Sequence, residues 1–86
     1  MIDMKPRVKN VKPMDEYQLL LTFTNNEIGI FDVSKYLSDN FWSSLKDISV
    51  FRTVKVSGGS VEWGNGVDFC PDDIYENSKI IGKLLD

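Results

Sequence analysis

The chain has 86 residues and a formal net charge of −3, enough for one domain spanning residues 1–86 and too few for two. It holds no histidine and one cysteine, Cys70, which excludes Ser-His-Asp and Cys-His nucleophiles, thiolate zinc sites and intrachain disulfides. No apolar run approaches the roughly 18 residues of a membrane span and no signal-peptide pattern opens the chain, so a cytoplasmic protein with no membrane role is expected.

In chain order, Arg7 to Met14 reads as a strand. Val8 and Val11 break strict alternation, and a bulge near Asn10 brings both to one face. Pro13 marks an edge position or the strand's end, and Asp15 and Glu16 turn the chain. Tyr17, Leu19, Leu21 and Phe23 then alternate with Gln18, Leu20, Thr22 and Thr24, the clearest strand pattern in the chain. Asn25-Asn26 separates it from Glu27 to Val33, which predicts a tight hairpin with a type I′ turn.

Residues 34 to 52 predict short helical pieces. Asp32 or Ser34 caps a turn holding Tyr36 and Leu37, and Asp47 caps a stretch through Val50 and Phe51. Phe41, Trp42 and Leu45 are expected to cover one end of the sheet. A second hairpin runs from Thr53 to Trp63 around Gly58-Gly59, where glycine permits positive φ. A turn at Gly64-Asn65-Gly66 leads to a short strand over Val67–Phe69. A C-terminal helix is expected from Pro71 to residue 85, with Cys70 as cap, Pro71 first, and Asp72 and Asp73 at the positive end of the dipole. Ile74, Ile81 and Leu84 or Leu85 form its apolar stripe, widened by Tyr75 and Ile80, with Lys79 and Lys83 in its latter half. The sum is an α+β domain: a small antiparallel sheet built from a first strand and two hairpins, one face covered by short helices and the C-terminal helix.

Charge is distributed unevenly. Lys5, Arg7, Lys9 and Lys12 face only Asp3 at the start, while residues 61–78 hold Glu62, Asp68, Asp72, Asp73 and Glu76 with no lysine or arginine. Mutual attraction within the fold accounts for this better than a polarised partner surface. The basic segment lacks the aromatic residues that stack on single strands, and no helix-turn-helix is evident, so nucleic-acid binding is disfavoured.

Among chemical constellations, Asp68, Asp72, Asp73 and Glu76 are weak candidates for a hard-cation site. Carboxylates in a first helical turn need no ligand, and Glu76 has a pairing option in Lys79 at i+3, so no metal or other cofactor is assigned. The glycines at 58, 59, 64 and 66 match no phosphate-binding spacing. Cys70 at a helix start has no histidine as base and four local carboxylates that oppose thiolate formation, so an inert packed cysteine is favoured. Trp42, Trp63, Phe41 and Tyr75 suit a core or a binding rim.

Two stretches carry a family resemblance. Val11-Lys12-Pro13-Met14, Tyr17-x-Leu19-x-Leu21-x-Phe23, Asn25-Asn26-Glu27 and Phe31-Asp32-Val33-Ser34 form the first. Trp63-x-Asn65-Gly66-x-Asp68-x-Cys70-Pro71-Asp72-x-x-Tyr75-Glu76 forms the second and more distinctive one. Together, over about residues 8–76, the chain resembles the small bacterial family called domain of unknown function 2442. Asn26 stands where that family usually has glycine, which the left-handed tolerance of asparagine absorbs. The resemblance implies an α+β fold like the N-terminal domain of a proposed DNA-binding protein, in which a helix-turn-helix domain follows; this sequence stops short of one. It also implies arrangements beside another small protein that look like toxin–antitoxin pairs. No catalytic residues are established for the family, so none carry over.

The expectation is therefore a small protein-interaction or regulatory module, partnered by a neighbouring gene product or by a second copy. Trp63, Asn65, Asp68, Cys70, Pro71, Asp72 and Tyr75 are its candidate signature residues. A homodimer would use an edge strand, either the first or Val67–Phe69, or the terminal helix stripe. A DNA-associated regulatory domain without its own helix-turn-helix is the alternative, and a carboxylate-dependent enzyme is a remote third.

Overall fold

The strictest alternation in the sequence becomes a central strand, and the turns on either side supply its partners. A computed structural model describes residues 5–85; Asp3, counted above in the charge balance, and the chain's last residue lie outside them. The elements in order are β1 (Val8–Met14), β2 (Gln18–Phe23), β3 (Glu27–Asp32), α1 (Ile48–Phe51), β4 (Lys55–Ser57), β5 (Ser60–Glu62), α2 (Pro71–Glu76) and β6 (Lys79–Lys83). Single 3-10 turns at Val33–Tyr36 and Ser43–Lys46, and a turn at Asp15–Tyr17 with left-handed φ at Glu16 (62°) and Tyr17 (60°), join them. An antiparallel sheet runs β1-β2-β3-β6, and β4-β5 forms a separate hairpin. The α+β class expected from the sequence is the class observed.

The core lies on one face of the sheet. Leu19, Leu21 and Phe23 are fully buried while Leu20 and Thr22 between them are half-buried, as a period of two requires. Val8 and Phe31 join them from the neighbouring strands. The bulge expected near Asn10 is present: the register slips between Val8 and Asn10, so Val8 faces Phe23 and Val11 faces Leu21. Leu45, Phe51, Val61, Trp63, Phe69 and Ile74 close the core from the other layer. Each such side chain contributes about 1.5–3 kcal/mol by leaving water.

The short helical pieces start where their caps stand. Asp32 Oδ1 accepts from the Ser34 backbone N–H at 3.0 Å, and Asp47 Oδ1 accepts from that of Ser49 at 3.0 Å. Each such cap is worth about 0.5–2 kcal/mol. The Gly58-Gly59 hairpin is as expected, with φ of 58° and 79° between paired Ser57 and Ser60. Gly59 also passes under Arg7, whose side chain would lie 3.0 Å from an added Cβ. Its carbonyl accepts from Val8 N–H at 2.9 Å, which ties the hairpin to the start of β1.

Several expectations need correction. The Asn25-Asn26 turn is not type I′: the loop spans Thr24 to Asn26, only Asn26 among these has positive φ (70°), and its N–H returns to Phe23 O at 2.8 Å. That is a three-residue hairpin loop with one left-handed residue. The second hairpin stands apart instead of extending the main sheet. Val67–Phe69 is an extended piece with one isolated bridge, Asp68 to Glu62, and not a strand. The largest difference is at the end. The helix stops at Glu76 instead of running to residue 85, and residues 79–83 form β6 against β3. Asn77 N–H closes the helix on Asp73 O, and Ser78 Oγ donates back to Ile74 O. The β-branched pair Ile80-Ile81 then suits a strand, and pairing satisfies the otherwise open edge of β3. The terminal stripe therefore does not exist: Ile74 is buried on α2, whereas Ile80, Ile81, Leu84 and Leu85 are exposed on or after β6. Lys79 and Lys83 sit on the same strand rather than at a helix C-terminus.

Candidate functional site

The residues that build the main groove come from two segments that the fold brings side by side. The first follows the Asp32-capped turn. Asp39 Oδ1 accepts from Phe41 N–H at 2.9 Å, and Asp39 O accepts from Trp42 N–H at 3.1 Å. Ser43 Oγ donates to Asn40 O at 3.1 Å. These bonds fix a polar turn that presents Phe41 and Trp42 beside Tyr36. The second segment is Asp68 to Cys70 with the α2 that follows. The Trp42 indole N–H donates to Asp68 O at 3.2 Å and joins the two segments.

The aromatic rings form one packed set. Trp42 stacks on Phe69 with centroids 4.9 Å apart and planes 8° from parallel. Tyr36 stands edge-on to Trp42 at 5.3 Å and to Phe69 at 5.0 Å. Phe41 meets Trp42 edge-on at 4.9 Å, yet it is 55% exposed, so it forms a rim and no part of the core. A groove of about 490 Å³ opens along this wall. That volume lies in the range of small-ligand and side-chain pockets. Asp68, Cys70, Asp73 and Asn77 complete its lining. Asp68, Cys70 and Asp73 are exposed, and no described ion pair engages either carboxylate. The groove thus combines aromatic faces, which attract cations through their quadrupoles, with unpaired negative charge. A second depression of about 410 Å³, lined by Ser49, Val50, Thr53, Gly64 and Asn65, carries no charged group.

The signature residues separate into different duties. Asp68 and Cys70 line the groove. Trp63 is 1% exposed, and its indole N–H donates to Phe51 O at 2.8 Å, so it is a core residue. Asn65 holds its turn: Nδ2 donates to Ser44 Oγ at 2.8 Å, and Oδ1 accepts from Val67 N–H at 3.2 Å. Pro71 occupies the first turn of α2, and Cys70 caps it without a side-chain bond. Tyr75 packs edge-on to Phe23 at 4.9 Å and donates its hydroxyl to Glu27 Oε1 at 2.6 Å. That bond, aided by Asn25, holds the Glu27 carboxyl below its ordinary range, and the same carboxylate pushes the Tyr75 phenol up. Asp72 is exposed on α2.

The carboxylates proposed as weak metal candidates do not converge. Glu76 pairs with Lys5 instead of Lys79, which has moved to β6. Among the described residues no group of three or more acidic or cysteine side chains stands close enough to hold a metal ion. The Lys5–Glu76 pair does join the basic start to the acidic stretch, as the charge pattern suggested. Tyr36, Phe69 and Asn77 carry no sequence signal that marks them as groove residues; the signal for the groove is the adjacent pair Phe41-Trp42 behind the polar Ser38-Asp39-Asn40 turn. No helix among the described residues is long and apolar enough to cross a membrane.

Comparison with known proteins agrees with this architecture. A solved structure, that of the proposed DNA-binding protein NE0471 from Nitrosomonas europaea, is similar with a TM-score of 0.77 and 26% identity. The likeness covers 91% of this chain and 52% of that one, so the chain spans about half the length of that protein. No protein of curated function matches it. The family model described as protein of unknown function (DUF2442) matches residues 8–79, which takes in β1 to β3, the groove and α2 and ends where β6 begins, and the chain belongs to that family.

Proposed function

We propose that the protein is a cytoplasmic protein-interaction module, without catalytic activity of its own, whose contact site is the groove between Trp42 and Asp73. The observation that carries the reading is the preformed aromatic wall: four rings held by backbone and side-chain hydrogen bonds, with Phe41 left exposed at the rim. Aromatic residues fixed before binding contribute contact area at little entropic cost, which is why they dominate interface hot spots. The partner is a neighbouring small protein, as the family resemblance implies. Co-expression of the two chains followed by size exclusion tests this. One shared peak that Trp42→Ala splits supports the reading, and two separate peaks for the native pair contradict it.

A second reading rests on the likeness to NE0471, a protein proposed to bind DNA. In it, this chain is a regulatory domain that acts beside a DNA-reading domain. The exposed carboxylates of the groove repel phosphate, so this face would not be the one that meets the duplex. Salt-sensitive retention of its own promoter DNA supports this reading, and no retention at micromolar protein in low salt removes it.

A further inference from the structure

We propose that the groove receives a cationic side chain, an arginine foremost, from a basic segment of the protein partner. This rests on the interaction-module reading and names the chemistry of the contact. Three observations point to it. Trp42 stacks flat on Phe69, with Tyr36 and Phe41 set at an angle to it, and Phe41 at the rim is 55% exposed. Asp68 and Asp73 line the same groove as the rings, and no described ion pair engages either carboxylate. No lysine or arginine among the described residues lines the groove: Lys5 is held by Glu76, and Lys12 and Lys79 lie on the two edge strands of the sheet, β1 and β6.

These features select for charge and for shape. An anionic or neutral polar group gains nothing from the ring faces and meets like charge or none at the carboxylates. A purely apolar side chain fills the groove but leaves two carboxylates partly desolvated without a partner, which is unfavourable. A cation gains from rings and carboxylates at once. A guanidinium exceeds an ammonium here because its flat, weakly hydrated plane stacks on an aromatic ring while its edge donates to a carboxylate. The wall is fixed in the free protein by the Asp39 turn and the Trp42 indole bond, so little ordering opposes binding.

The test titrates the intact, isotope-labelled chain with a short arginine-containing peptide at low salt. It reads the Trp42 and Trp63 indole N–H signals separately and follows alkylation of Cys70, which lines the groove. Parallel titrations use the same peptide with lysine, with citrulline, and free arginine. The expected result is a saturable shift at Trp42 and not at Trp63, with a dissociation constant of about 1 mM or below, and slower Cys70 alkylation. Lysine binds more weakly, citrulline and free arginine weaker still, and the double variant Asp68→Asn with Asp73→Asn loses about tenfold while melting as the native chain does. An unmoved Trp42 signal, equal binding of citrulline, or undiminished binding by the double variant overturns the proposal. Free arginine binding as tightly as the peptide overturns the assignment to a protein segment. The parent reading fails separately: if the co-expressed pair forms one peak that survives both groove variants, the module stands and the groove proposal falls. If arginine peptide binds but no protein pair forms, the reverse holds.

Discussion

Trp63→Phe separates a structural signature from a contact surface, because Trp63 opens the run that most resembles the family yet is buried. Its indole fills the core beside Phe51 and Phe69, with ring centroids 6.2 Å and 5.7 Å away, and its N–H is the donor to Phe51 O. Phenylalanine keeps an aromatic ring but removes that donor and part of the volume. Leaving a buried acceptor without its partner costs about 1–3 kcal/mol, and the smaller ring adds a fraction of the large-to-small cost seen in cores. The expected loss is about 2 kcal/mol, against a total stability on the order of 4–13 kcal/mol for a chain of this length. For a domain of this size that lowers the melting midpoint by about 8–16 °C. Thermal unfolding followed by circular dichroism measures it. Asp68→Asn serves as the comparison, since an exposed substitution changes stability by about 0.5 kcal/mol or less. A midpoint for Trp63→Phe within about 3 °C of the native chain would refute the core assignment and return Trp63 to the candidate contact residues.

The other predictions concern a buried hydroxyl, an acid-sensitive contact and the last strand. Ser60 is 3% exposed, and its hydroxyl has no partner among the described residues, so Ser60→Ala is expected to hold or raise the midpoint, by about 1 kcal/mol at most; a clear fall would show a missed partner. Glu27 is held below its ordinary value of 4.5 by the Tyr75 hydroxyl first and Asn25 next, and Asp47 below 3.8 by Ser49. Groups with depressed folded values contribute stability above their unfolded values and lose it as pH falls through the folded ones, so stability should decline in acid below about pH 4.5. Glu27→Gln should flatten part of that acid limb in melts between about pH 3 and pH 6, and an unchanged limb would mean the Tyr75 contact does not form in solution. Cross-strand nuclear Overhauser contacts are expected between Gly29 and Ile80 and between Ile30 and Lys79, the paired positions of β3 and β6. Unbroken i to i+3 helical contacts through residue 85 would contradict the strand.

Much of the sheet is legible in local chemistry. Alternation places Leu19, Leu21 and Phe23 in the core, the uneven spacing of Val8 and Val11 locates the bulge, and Asp32 and Asp47 mark the caps. The end of the chain is ambiguous in sequence because Ile74, Ile80, Ile81 and Leu84 suit a helical stripe and a strand almost equally when taken alone. What decides against the expected helix is tertiary: β3 has an open edge, and the chain after Asn77 reaches it. The site is half legible. Asp68 and Cys70 stand out in the signature, but the rings that line the groove with them come from Tyr36, Phe41 and Trp42, about thirty residues earlier, and no local pattern links the two segments. Of the remaining signature residues, Trp63, Asn65, Pro71 and Tyr75 act through packing and turn geometry, and Asp72 is exposed on α2.

We expect the partner to meet the groove rather than the open face of the sheet, where Leu20 and Ile30 lie in register between Lys12 and Lys79. Hydrogen exchange of the purified complex against the free chain addresses this directly. Added protection is expected over residues 36–42 and 68–77, with the exchange of β1 and β2 unchanged. Added protection confined to β1, β2 and β3, with the groove segments exchanging as in the free chain, would contradict it.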